Sequence, residues 1–342
     1  MKALYTTGPG RYGLVERPIP EPGPGEALVQ VVRAGLCHTD VNIRAGTAGH
    51  VRYPFIPGHE FAGKVVALGQ AVEYIRLGDR VAIHQLIACN QCSRCRRGDT
   101  AGCENSQELG ATRDGGFAEY CVVPARHLHK LPDHVSFAEG ALLEPLANAV
   151  SAVGRAGVGL GDRVVVIGPG PIGLLVLQVA RLANPSVLAL VGTRDGRLAF
   201  GKQLGASHTI NLGQSGALDA LRAALGGRGA DAVIVCAGAT SALELAFEIV
   251  GWRGRIAMEG TVGAEEVVTI HPTRLFERLA ASLLGVNGWV TADFVRALEM
   301  LSQGLVSGLP LVTHELPLEA WEAAFGLITA RKSEAIKVEF AF

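Results

Sequence analysis

The run RVVVIGPGPIG, residues 163–173, constrains this chain most: a β-branched apolar stretch ends on three spaced glycines and opens directly into an apolar helical segment. Strand, tight turn and helix together form the context in which a GxGxxG motif cradles a dinucleotide. Gly168 permits the turn, Gly170 lets the backbone approach a pyrophosphate, and Gly173 lets helix and strand pack closely. Pro171 suits the first helical turn, where its missing N–H is no loss. With Ile172 it begins a helix whose free N–H groups and positive dipole end face the phosphates. A glycine-rich turn without a ligand is the alternative, and the full strand–helix–strand setting speaks against it.

The surrounding pattern extends this unit. From Asp162 onward, apolar strands at Arg163–Ile167, Val187–Val191, His208–Asn211, Ala232–Cys236, Arg255–Met258 and Ser282–Val286 alternate with helical stretches such as Ile172–Leu182 and Ala242–Val250. Such alternation predicts a doubly wound α/β domain on a parallel sheet. Upstream, short β-rich pieces (ALVQVVRAG, EFAGKVVALG, DRVAIH, FAEYCVVPA) are separated by turns, with PIPEPGPGE as an early loop. Downstream comes a helix, Ala292–Gln303, and then AIKVEFAF, a β-like end with nothing to pair with in a complete parallel sheet. It is expected to return to the first domain. The expected organisation is a mainly β domain, 1–149 with 288–342, and a dinucleotide-binding domain, 150–287.

A length of 342 residues accommodates two such domains. The 31 basic and 32 acidic residues nearly cancel, so no net field favours nucleic acid or an anionic membrane as partner. A small-molecule substrate is the expectation. The amino terminus lacks the apolar core of a signal peptide, and no apolar run approaches the ~18 residues of a membrane span. A cytoplasmic location is expected.

Four of the seven cysteines, Cys89, Cys92, Cys95 and Cys103, form CxxCxxCx₇C. That spacing lets one loop wrap four thiolates tetrahedrally around zinc, with no position left for substrate, so the site is structural. Arg94, Arg96 and Arg97 offset its negative charge. An iron–sulfur cluster or a thiol switch are the alternatives. Cys121 and Cys236 lie in apolar runs, where packing is their expected role.

A second metal site is suggested by Cys37 in GLCHTD, His59 and Glu60 in GHE, and Glu144 in LEP. Singly, Cys37 reads as a core thiol and His59 as a satisfied buried imidazole. Thiolate, imidazole and carboxylate with one open position are, however, the ligand set of a catalytic zinc. Neighbours in a regular strand point to opposite faces, so His59 and Glu60 share a metal only if the chain turns at Gly58. The second strand of the nucleotide domain ends in Gly192-Thr193-Arg194, where an acidic residue would bind the ribose of NAD. Glycine removes repulsion toward a 2′-phosphate and Arg194 supplies charge, so NADP is favoured over NAD. The alternative is a solvated Arg194, with Asp195 on the ribose.

Taken in order, GLCHTD, PGHEFAG, the four-cysteine loop, GALLEPLANA and VVVIGPGPIG resemble the zinc-containing medium-chain dehydrogenase/reductase superfamily. Within it, the GHE and EPL elements are most similar to the sorbitol/polyol dehydrogenase branch. The resemblance implies a GroES-like mainly β catalytic domain, a Rossmann domain, and one catalytic and one structural zinc per chain. It also implies a homodimer or homotetramer. Cys37 and His59 fall at metal ligands; of Glu60 and Glu144, one binds zinc and the other holds a zinc-bound water or exchanges with it. His38 falls at a pyrophosphate contact, Asp40 at the partner of the zinc-binding histidine, and Thr39 at the hydroxyl that receives the substrate proton. Gly192-Thr193-Arg194 is similar to the Gly-Ser-Arg of NADP-dependent secondary alcohol dehydrogenases. Two departures stand out: Asn42 where many relatives carry a relay histidine, and Leu212 where the NADP-dependent enzymes place a tyrosine. The implied activity is hydride transfer between a polyol or other secondary alcohol and NAD(P), giving the ketone. A threonine-type amino-alcohol dehydrogenase and a non-catalytic dinucleotide-binding protein are the alternatives.

Overall fold

The structure is a computed structural model describing residues 1–263, 265–330 and 333–342. The chain divides into two compact units, Met1–Glu144 with Val290–Phe342, and Pro145–Trp289.

In the first unit a seven-stranded sheet is centred on the long strand Glu26–Leu36. Alternation drives its burial: Ala27, Val29 and Val31 face the core while Gln30 is exposed. This strand pairs antiparallel with Glu60–Leu68, Tyr120–Pro124 and Lys337–Ala341. The last of these is the AIKVEFAF segment, which also runs parallel to Val312–Pro317. Phe340 therefore reaches the core, where its ring meets that of Phe117 edge-on at 4.9 Å.

The FAEYCVVPA piece forms regular strand only from Tyr120. Phe117 and Ala118 instead bond sideways to the amino-terminal strand Lys2–Gly8, through a Leu4 N–H that donates to the Phe117 carbonyl at 2.8 Å. The hairpin of Lys2–Gly8 with Arg11–Glu16 escapes the sequence pattern because half of its outer face is polar.

The second unit carries six parallel strands in the order His208–Asn211, Val187–Gly192, Arg163–Ile167, Ala230–Val235, Val250–Met258, Ser282–Gly285. Its first and fourth strands in the chain are neighbours, so the winding direction reverses beside Ile167, where open α/β sheets bind ligands. The predicted strands are present, Arg163–Ile167 and His208–Asn211 with the predicted ends and the others with at least one end shifted. Cys236 lies just past its strand, and Val250, expected at the end of a helix, already begins the next strand after Thr240–Ile249. No helix among the described residues is long and apolar enough to cross a membrane.

Candidate active site

The central strand of the first unit ends at Leu36, and Cys37 caps the helix His38–Ala45 in an extended conformation. Asp40, fully buried in the first turn of that helix, accepts the Cys37 N–H at 2.9 Å through Oδ2. Its other carboxylate oxygen lies 3.8 Å from Nδ1 of His59. His59 arrives on a turn: Gly58 has φ +91°, and a Cβ there would come within 2.3 Å of the Phe117 ring. Glu60 then starts the strand Glu60–Leu68. One ligand atom from each of Cys37, His59 and Glu60 lies within 4.8 Å of the others.

Glu144, in the first turn of the helix Leu143–Ala156, is not in that group of three. It is buried, and its Oε1 accepts a hydrogen bond from Nε2 of buried Gln85 at 2.8 Å. Its charge still reaches His59. Burial pulls the His59 imidazole down, but Asp40, the Cys37 thiol and Glu144 outweigh it and hold the ring well above its ordinary value. Burial also pushes the Asp40 carboxyl up. The sulfur, nitrogen and oxygen donors of this buried group suit a borderline-soft divalent ion such as zinc.

Thr39 is beside this group, its Oγ1 accepting from the Cys37 thiol at 3.6 Å. His38 is exposed at the start of the helix, and Asn42 lies three positions beyond Thr39 on it.

Sequence reasoning missed two participants. Lys337, buried on the carboxy-terminal strand, donates its ammonium to Glu60. Gln85 is the other. A lone lysine inside the apolar run AIKVEFAF was the available signal for the first; nothing in the sequence marks the second.

In the four-cysteine loop, the sulfurs of Cys89, Cys92, Cys95 and Cys103 also lie within 4.8 Å of one another. Backbone N–H groups point at them: Cys89 N–H at Cys103 Sγ (3.2 Å), and Cys92 N–H at Cys89 Sγ (3.4 Å). The backbone donors of Cys95 and Glu104 draw the Cys92 thiol down to about 6, while burial and the neighbouring thiols push Cys95 up to about 12, so the crowded sulfurs titrate as one group. Arg94 donates to the Gly102 carbonyl at 3.0 Å, so it braces the loop as well as carrying charge. Cys121 is buried as a packing residue, and burial pushes its thiol up.

In the second unit the three glycines differ in what requires them. Gly168 has φ +108°, which favours glycine. At Gly173 a Cβ would sit 1.8 Å from the Gly168 carbonyl, so helix and turn could not close. At Gly170, which caps the helix Pro171–Arg181, a Cβ would meet no atom within 4 Å. Nothing in the turn itself therefore requires glycine at 170, and Ile172 follows in the first turn of that helix.

Gly192 ends its strand under the Pro169 ring, whose Cδ would be 2.4 Å from a Cβ. No carboxylate fits at that place while the proline is present. Thr193 is exposed, Arg194 caps the helix Asp195–Gln203, and Asp195 Oδ1 accepts from Asn211 Nδ2 at 2.6 Å. Leu212 is partly exposed beside this turn and donates its N–H to the Gly192 carbonyl at 2.8 Å.

Two family models match the chain. Residues 23–133 match the alcohol dehydrogenase GroES-like domain, and residues 171–303 match the zinc-binding dehydrogenase family. An L-threonine 3-dehydrogenase of Pyrococcus horikoshii is 34% identical, with 97% of each chain covered. A sorbitol dehydrogenase of Halalkalibacterium halodurans is 33% identical over 99% of this chain and 98% of its own. Among solved structures, a chain assigned as a zinc-binding dehydrogenase from Sinorhizobium meliloti, bound to NADP, superposes with a TM-score of 0.95 at 28% identity, covering 100% of this chain and 99% of that one. The chain belongs to the zinc-containing medium-chain dehydrogenase/reductase superfamily, built from a GroES-like domain and a Rossmann domain, and is an NAD(P)-dependent oxidoreductase acting on CH–OH groups.

Proposed function

We propose that this enzyme interconverts a polyol or other secondary alcohol and its ketone, with NADP favoured over NAD, and that each chain holds a catalytic and a structural zinc. The convergence of Cys37, His59 and Glu60 within 4.8 Å, beside buried Glu144, carries the proposal. Those three side chains would hold the catalytic metal and leave a position for substrate. When bound, zinc supplies Lewis acidity to the substrate oxygen, and the dinucleotide takes the hydride.

The protein's own groups supply the rest. Asp40, its Oδ1 3.8 Å from His59 Nδ1, supplies negative charge on that side of the ring and would orient it once the metal is held. Gln85 holds Glu144 in place, where its carboxylate can anchor a water without displacing the ligands. Thr39, whose Oγ1 is 3.6 Å from the Cys37 sulfur, would take the substrate proton. Asn42 has no titratable group, so proton transfer beyond Thr39 does not follow a histidine relay. In the second unit Gly168, Gly170 and Gly173 accommodate the pyrophosphate, while Thr193 and Arg194 receive the 2′-phosphate. Asp195 Oδ1 is taken by Asn211, which ties that carboxylate to the neighbouring strand. The four-cysteine loop would hold the structural zinc. The chain's seven cysteines, none in a disulfide among the described residues, suit a reducing compartment, here the cytoplasm. A homodimer or homotetramer completes the proposal by resemblance.

The similarity to the Pyrococcus L-threonine 3-dehydrogenase favours a second reading, an amino alcohol in the same pocket. A panel of sorbitol, other polyols, simple secondary alcohols and L-threonine, each assayed with NAD and NADP, decides between them. Turnover of polyols or secondary alcohols at higher kcat/KM than threonine is the expected result, and a threonine preference overturns it.

A further inference from the structure

The register of the first unit's sheet places one glycine between two acids. Gly35 pairs with Glu60 on one side and with Glu339 on the other. Residues directly opposite in antiparallel strands project from the same face, so Glu60 and Glu339 flank the gap left by the missing side chain. Lys337, two residues before Glu339, shares that face. It fills the gap: a Cβ on Gly35 would lie 2.4 Å from Glu60 Oε2, 2.8 Å from Lys337 Cε and 3.2 Å from Lys337 Nζ.

One ammonium thus lies over Gly35 with a carboxyl on each side, and it is paired with Glu60. Glu339 is fully buried, and among the described residues neither of its oxygens has a hydrogen-bond partner. Arg33, the other cation nearby, gives its Nη2 to Glu315 at 3.0 Å. Burial pushes the Glu339 carboxyl up, against the pull of the nearby Lys337 ammonium. An acid kept in such a place without a partner requires an explanation.

Metal binding supplies one. If Glu60 turns to a metal held with Cys37 and His59, Lys337 loses its partner inside the protein, and a buried cation left unpaired is strongly unfavourable. We infer that Lys337 is a shared cation that passes from Glu60 to Glu339 when Glu60 joins the metal, making Glu339 a positioning residue that sets the metal affinity of the site. This rests on the assignment of Glu60 as a ligand. Glu339 touches neither metal nor substrate; it releases Glu60 by accepting its partner.

The test is competition between a chelator and the full-length protein for Zn²⁺, read at the class of site that Cys37→Ser removes. Glu339→Val should weaken that class about tenfold or more, because Lys337 then pins Glu60. The double variant Glu339→Val/Lys337→Met should return to within about threefold of wild type, since no cation remains to be stranded. Should the valine variant fail to fold, Glu339→Gln carries the test with the same sign and a smaller effect. Wild-type affinity in Glu339→Val, or a weakening that Lys337→Met does not relieve, overturns the exchange. Glu60→Gln separates the two levels: unchanged affinity there removes the ligand assignment itself, whereas weakened affinity there with a wild-type Glu339→Val removes only the exchange.

Discussion

Acidification from pH 7 to pH 5 should destabilise this protein through three histidines that are not among the proposed ligands. His84, His127 and His129 cluster in the first unit, with the His84 ring 5.0 Å from that of His127 and 6.2 Å from that of His129. His84 and His129 also pack on Phe294, at 5.8 Å and 4.5 Å. Burial, reinforced by the two neighbouring rings, lowers His84 to about 2. Burial and then Arg126 lower His127 to about 4, and burial alone lowers His129 to about 4.

All three are neutral in the native protein at pH 5, whereas in the unfolded chain they titrate near 6.5. The unfolded state therefore takes up protons first as pH falls. Their contribution to stability is intact above about pH 7 and drains away between pH 6.5 and 4. Between pH 7 and 5 each loses about 2 kcal/mol, on the order of 5 kcal/mol for the three, a large share of a typical folding free energy. Urea unfolding at both pH values, with zinc saturating, measures the loss. Metal ligands also protonate in this range, so the diagnostic is a difference: His129→Leu should reduce the pH 7 to 5 loss by about 2 kcal/mol. An identical pH dependence in parent and variant would refute the reasoning.

Arg194→Ala should raise KM for NADP about 30-fold, corresponding to about 2 kcal/mol for a charge-assisted phosphate contact, while leaving KM for NAD nearly unchanged. Equal effects on both coenzymes would show that Arg194 supports the turn and does not read the phosphate. Cys92→Ser should remove one zinc per chain by elemental analysis and lower the thermal midpoint, since a structural metal contributes directly to folding. Cys37→Ser should remove the other zinc and abolish turnover with a nearly unchanged midpoint; a single metal lost in both variants would contradict two independent sites.

What was legible in the sequence is what short-range pattern encodes. The switch from twofold alternation to strand–helix alternation near Asp162 marks a parallel sheet wherever it occurs, because side-chain period follows backbone geometry. The four cysteines lie within fifteen positions, so one loop suffices to gather them, and spacing alone carries the message. Gly168 and Gly173 are required by the turn itself.

The tertiary structure decided everything that depends on strands meeting. Cys37 and His59 are 22 positions apart, and only the pairing of Gly35 with Glu60 brings their loops to one end of a strand pair. That pairing also grouped Glu60 with them and left Glu144 to Gln85, a division the motifs could not express. Glycine at position 192, readable from sequence as a coenzyme signal, proved to be a packing requirement of Pro169 too. Lys337 lies 277 positions from Glu60, and register across three strands makes them a buried pair. Such contacts are long-range because loop closure leaves no periodic trace in the chain; they are fixed by which residues end up opposite each other in the sheet.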